Sequence, residues 1–167
     1  AVSTMSQTIL STEKYKKDGL EIVGITLTSG PPENIQSFSD KCDKGVKLCT
    51  NEIIIKMDSD DIMFPERIQK QYIFMKSNLN IAICGAQVLM FKNNIQNIVN
   101  KTNHPIITWE EYKKNISHWF VNHPTVCYRK SKILKVGNYN PDIKVMTEDF
   151  DSFYSILFEN ELIMLSE

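Results

Sequence analysis

The spacing of apolar positions changes from segment to segment along the chain, and the changes predict alternating helices and strands. Val2, Met5 and Ile9 recur at helical spacing and predict a helix over 2–10. Leu20-Glu21-Ile22-Val23-Gly24-Ile25-Thr26-Leu27 predicts a strand, closed by Gly30-Pro31-Pro32. Proline fits the first turn of a helix, so Pro32 to about Lys41 reads as a second helix with Ile35 and Phe38 inward, and a short helical piece follows over 44–50. Ile53-Ile54-Ile55-Lys56-Met57 has the β-branched composition of a buried strand. Pro65 then opens a helix with Ile68, Tyr72 and Met75 on its core face and Glu66 and Lys70 outside as an i,i+4 pair. Residues 81–91 read as a long strand bent at Gly85, and the polar stretch Lys92–Pro105 as an outward loop. Thr108 and Glu111 form a capping box for a helix through Lys114; Thr125–Tyr128 predicts a strand, and Ser131 caps a short helix ending before Gly137. Thr147 caps a helix whose apolar face is Phe150, Phe153, Tyr154, Leu157 and Phe158, and Leu162–Leu165 is a last strand.

This alternation points to an α/β layered domain, and 167 residues suffice for one such domain. Lys plus Arg number 19 against 20 Asp plus Glu, so no net charge favours a polyanion, and nucleic acid is not an expected partner. No apolar run reaches the roughly 20 residues of a transmembrane helix, and the first residues lack the pattern of a signal peptide. Cys42, Cys49, Cys84 and Cys127 contain no CxxC pair, and two lie in apolar strand-like runs. Reduced thiols and a cytoplasmic location are expected, with peripheral membrane attachment through a missing segment left open. The sequon at Asn115-Ile116-Ser117 is discounted for the same reason.

The apolar run at 53–57 ends in Asp58-Ser59-Asp60-Asp61. Ligands of open α/β sheets bind beyond the carboxyl ends of the strands, which is where these acids fall. Two carboxylates about 4 Å apart repel by about 4 kcal/mol at an effective dielectric near 20, so the cluster calls for a cation, a proton or free solvation. Hard oxygen ligands of this kind suit Mg²⁺ or Mn²⁺, although a solvated turn capping the next helix would also explain them. Glu148-Asp149 lies in the first turn of its helix, where the dipole alone favours carboxylates; a general base would sit well there if that end faced the same cleft. His123, just before a strand, is the histidine best placed to border a cleft, ahead of His104 and His118. His118 and His123 lack the spacing of a zinc site, and Trp119 and Phe120 read as core.

Four segments in order, NEIIIKMDSDDIMFPERIQKQ, ICGAQVLMF, NHPTVCYRKSKILKVGNYN and TEDFDSFYSIL, resemble the inverting glycosyltransferases of family 2 over about residues 45–160. The resemblance implies a GT-A type (Rossmann-like) α/β fold: a mixed, mostly parallel sheet flanked by helices. It implies transfer of a sugar from a nucleotide-diphosphate sugar, a UDP-sugar first, to a hydroxyl of a glycan or lipid-linked acceptor. On that likeness Asp58 and Asp60 hold Mn²⁺ or Mg²⁺ on the donor diphosphate or contact the ribose, and Asp61 stands behind them. Asp149 deprotonates the acceptor hydroxyl, Glu148 orients it, and Arg67 and His123 support the donor side. Members of the family begin with a strand reading roughly VSVIIPTYN and carry a DDGS-type acidic sequence after the second strand. Neither appears here, so the expectation is a single domain over 1–167 that is incomplete at its N-terminus.

Other readings of the acids fare worse. An EF-hand needs Gly and Glu where this chain has Met63 and Gln69. A DxD phosphatase needs a small hydroxyl residue after the motif, where Asp61-Ile62-Met63 stands, and a nucleotidyltransferase needs a Gly-rich basic loop near the start. A non-catalytic sugar- or nucleotide-binding relative is the principal alternative.

Overall fold

The computed structural model describes residues 38–58, 61–104, 114, 121–140 and 161–164. The predicted elements over 2–10, 20–27, 108–114 and 147–158 lie outside the described residues, apart from Lys114, as do Trp119, Phe120 and His118.

Helix α1 spans Phe38–Leu48, strand β1 Ile53–Ile55, helix α2 Arg67–Ser77 and strand β2 Ile81–Gly85. Strands β3 (Leu89–Lys92) and β4 (Asn94–Lys101) follow, then a 3₁₀ turn at His123–Thr125, β5 (Cys127–Arg129), α3 (Lys130–Lys135) and β6 (Glu161–Met164). The main sheet has the order β1-β5-β2-β6. Strand β5 is antiparallel to both β1 and β2, and β6 is parallel to β2, so among the described residues three strands of this sheet run one way around a single reversed one. The expected mixed α/β sheet is what forms.

Alternation along β1 explains how both faces are filled. Ile54 packs into a cluster of Val46 from α1, Ile83, Val121, Val126, Tyr128, Ile133 from α3 and Tyr139. Ile53 and Ile55 point the other way, toward Met75 and Phe74 of α2 with Ile81, Cys84 and Cys127. Helices therefore cover both sides of the sheet. The four cysteines form no disulfide, and Cys84 and Cys127, opposite one another in β2 and β5, are buried among apolar side chains.

Five local expectations are corrected. Of the helical pieces expected over 32–41 and 44–50, residues 32–37 lie outside the described residues and the rest join across Cys42-Asp43 into α1 (Phe38–Leu48), where Asp43 pairs with Lys47 at 2.7 Å and its carbonyl and carboxylate accept Asn138 Nδ2 at 3.0 and 2.8 Å. On α2 the buried residues are Gln71 and Met75, while Tyr72 is exposed with Lys76 Nζ 5.9 Å from its ring centroid. The long strand ends at Gly85, and the supposed loop is largely strand β4, paired with β3 in an exposed hairpin turned by Asn93 at φ 64°. Ser131 is not a cap: it lies inside α3, where Glu52 accepts both its hydroxyl and, at 3.2 Å, its backbone N–H. A carboxylate thus serves the start of that helix.

Candidate functional site

Strand β1 delivers Asp58 to its carboxyl end, and the surrounding polar groups hold that end in place. Lys56, the last residue before Met57, donates its backbone N–H to the Val126 carbonyl at 2.9 Å. Its own carbonyl accepts Arg67 Nη2 at 2.6 Å, and its Nζ pairs with Asp58 Oδ1. The Asp61 backbone N–H reaches the Asp58 carbonyl at 3.3 Å, which holds these two residues side by side.

Arg67 is committed to this framework. Besides the Lys56 carbonyl, its Nε donates to Gln71 Oε1 at 3.0 Å, one helical turn on. Burial lowers the Arg67 pKa, and the fields of Cys127, Cys84, Asp61 and Asp58 act in the opposite sense; a guanidinium stays charged at neutral pH regardless. The fully buried Gln71 passes the connection across the sheet, donating Nε2 to the Thr125 carbonyl at 2.8 Å. Thr125 Oγ1 accepts the Ala86 N–H at 2.9 Å and donates to the Asn122 carbonyl at 2.7 Å. Asn122 Nδ2 in turn donates to the Ala86 carbonyl at 2.8 Å, and its Oδ1 meets His104 Nε2 at 3.1 Å. The carboxyl ends of β1 and β2 and the 3₁₀ turn before β5 are thereby fastened to one another.

His123 sits on that turn with Nε2 2.8 Å from the Tyr139 hydroxyl, which also bonds the buried Tyr128 hydroxyl. Burial, reinforced by the Lys56 charge, lowers the His123 pKa from 6.5 to about 3, so the ring is neutral at physiological pH. The unfolded chain takes up this proton near pH 6.5 and the folded one only near 3. The stability from a neutral His123 is therefore full above pH 6.5 and is lost progressively as pH falls toward 3. Between pH 7 and 5 it costs about 2 kcal/mol, or about 4–8 °C in Tm. Thermal melts at the two pH values should show that drop in the parent and a much smaller one in His123→Gln; equal drops would remove His123 as the cause.

Of the sequence-derived candidates, the structure gathers Asp58, Asp61, Arg67 and His123 around the end of β1. Asp60, Glu148 and Asp149 lie outside the described residues. Sequence reasoning missed Lys56, Gln71, Asn122 and Thr125. Only Lys56 carried a signal, a charge interrupting an apolar strand. Among the described residues no three His, Cys, Asp or Glu side chains converge as a metal-holding group, and no helix is long and apolar enough to cross a membrane.

Known proteins resemble this chain in sequence and fold. The chain is 33% identical over 117 residues to the O-antigen biosynthesis glycosyltransferase WbnJ of Escherichia coli, covering 68% of this chain and 43% of WbnJ. It is 27% identical over 130 residues to the amylovoran biosynthesis glycosyltransferase AmsE of Erwinia amylovora, covering 76% of this chain and 46% of AmsE. The chain thus spans less than half the length of these relatives. The crystal structure of TarS 1–349 from S. aureus superposes with a TM-score of 0.59 at 16% identity, over 96% of this chain and 45% of TarS, and TarS has also been solved in complex with UDP. That likeness establishes the GT-A fold. Residues 33–137 match the family Glycosyl transferase family 2, and the chain belongs to that family.

Proposed function

We propose that the chain carries the donor site and the general base of an inverting glycosyltransferase that moves a sugar from a nucleotide-diphosphate sugar, a UDP-sugar first, to a hydroxyl of a glycan or lipid-linked acceptor. The observation carrying this reading is the braced end of β1, where the Asp61 backbone N–H bonds the Asp58 carbonyl beside Arg67 and His123. Open α/β sheets bind ligands at that edge. The TarS complex with UDP supports the choice of nucleotide, and the names of WbnJ and AmsE, for O-antigen and amylovoran biosynthesis, favour a glycan or lipid-linked acceptor.

In this reading Asp58 and Asp60 would hold Mn²⁺ or Mg²⁺. The donor set fits, because such ions bind through one or two carboxylates completed by substrate phosphates, and the described Asp58 supplies hard oxygens. A bound ion would offset the charge that grows on the departing diphosphate. The protein's own groups do the rest. Arg67 fixes the backbone from which Asp58 projects, and the neutral His123, tied to Tyr139, shapes the neighbouring wall without adding charge. Asp149 takes the proton of the acceptor hydroxyl on the face opposite the leaving group, and Glu148 orients that hydroxyl.

The test is turnover. Labelled UDP-sugars are incubated with the protein, Mn²⁺ and a panel of detergent-dispersed sugar-diphosphate lipids and oligosaccharides, and the anomeric configuration of the product is read by NMR. Transfer with inversion supports the proposal. Transfer with retention contradicts it, and UDP-sugar binding with no transfer to any acceptor moves the chain to the non-catalytic reading.

A further inference from the structure

Lys56 has no place in the packing logic of β1. Three isoleucines precede it, and its side chain is only 13% exposed, yet it carries a full charge to the strand end. Its backbone is pinned on both sides, by Val126 and by Arg67, so the direction of its stem is set by the sheet rather than by solvent. The ammonium meets Asp58, whose side chain is 37% exposed. A lysine in this setting differs from the mobile surface lysines whose ion pairs contribute little.

We propose that Lys56 is a built-in counter-cation for Asp58, a positioning residue that keeps this carboxylate charge-balanced and aimed while the site is free of ligand. This rests on the donor-site reading above. A bare divalent cation approaching Asp58 must compete with Lys56 for the carboxylate and is repelled by its charge, so it binds weakly. A nucleotide diphosphate removes that obstacle, because its phosphate oxygens give the ammonium another anionic partner and release Asp58. Uptake of the cation is thereby made dependent on the nucleotide, and the protein avoids holding a metal in an empty donor site.

The experiment titrates Mn²⁺ alone, followed by the electron paramagnetic resonance of the free ion, into the parent, Lys56→Met and Lys56→Arg. Methionine preserves most of the unbranched stem and removes the charge. Taking away one unit charge about 6 Å from a divalent ion in a water-like dielectric is worth about ten-fold in affinity. Lys56→Met should therefore bind Mn²⁺ about ten-fold more tightly than the parent, and Lys56→Arg should behave like the parent. Lys56→Met binding Mn²⁺ no more tightly than the parent overturns the inference. Should Lys56→Met fail to fold by circular dichroism, Lys56→Gln makes the same comparison with a shorter polar side chain. A separate UDP titration in EDTA should show about ten-fold weaker binding in Lys56→Met. A parent that binds no UDP even with Mn²⁺ contradicts the donor-site reading, whereas the Mn²⁺-only comparison decides the role of Lys56 on its own.

Discussion

Asp149→Asn should lower turnover by about 10²–10⁴-fold while leaving UDP affinity within a factor of two of the parent. That range is what a positioned general base contributes, and asparagine keeps the shape of the side chain while losing the ability to take a proton. The proposed role lies on the acceptor side of the reaction, so donor binding is spared and the loss falls on kcat. Glu148→Gln, which removes an orienting rather than a proton-accepting group, should cost less and should raise KM for the acceptor. The bland account of Glu148-Asp149 as helix-terminal charge predicts something different, a loss of about 0.3–1 kcal/mol of stability with turnover intact. Steady-state kinetics of the two variants beside a melting curve separates these accounts. Normal turnover in Asp149→Asn would remove the proposed base.

The largest effect on stability should come from Arg129→Met. This buried arginine donates Nε to the Ile81 carbonyl at 3.1 Å and Nη2 to the carbonyls of Met75 at 2.8 Å and Asn78 at 3.1 Å. The last two carbonyls end α2, where the negative pole of the helix favours a cation, and the first belongs to β2. One side chain of β5 thus closes the α2–β2 connection. Hydrogen bonds from a charged donor are worth about 1.5–3 kcal/mol, and removing this one strands several buried acceptors together. A loss of about 3–5 kcal/mol is expected, about 10 °C in Tm for a chain of this size. Arg129→Lys should fall between the two, since an ammonium cannot span the fork of acceptors. A melt of Arg129→Met within 2–3 °C of the parent would show that water replaces the guanidinium there.

The elements that could be read in advance are those whose reasons are local. Three β-branched residues and a following Pro65 marked β1 and the approach to α2, and Cys84 and Cys127 were recognisable as small apolar residues inside strands. The acids at the end of β1 followed from the same pattern. What could not be read depends on distant partners. Asp43 and Gly45 look like breakers, yet α1 runs through them because Asn138, 95 residues away, satisfies Asp43. Gln71 is polar by composition and buried in fact, because the Thr125 carbonyl and Arg67 occupy its amide. The segment 94–101 shows no clean alternation because neither side of the hairpin is buried, so the period-2 rule had nothing to act on. In the site, the residue types at Asp58, Asp61, Arg67 and His123 were legible, but their division of labour was not. Arg67 reads as a donor-side residue, and that its guanidinium holds the Lys56 carbonyl could not be foreseen, because a backbone acceptor leaves no trace in sequence.

The central claim is that the end of β1 is a nucleotide-sugar site, and calorimetric titration of UDP tests it most directly. With Mn²⁺ present the parent should bind UDP, EDTA should weaken that binding, and Asp60→Ala should weaken it by at least about ten-fold, since a metal-bridged diphosphate loses a carboxylate–metal contact. UDP binding of equal strength in the parent and Asp60→Ala, or no binding to the parent with or without Mn²⁺, would contradict the account.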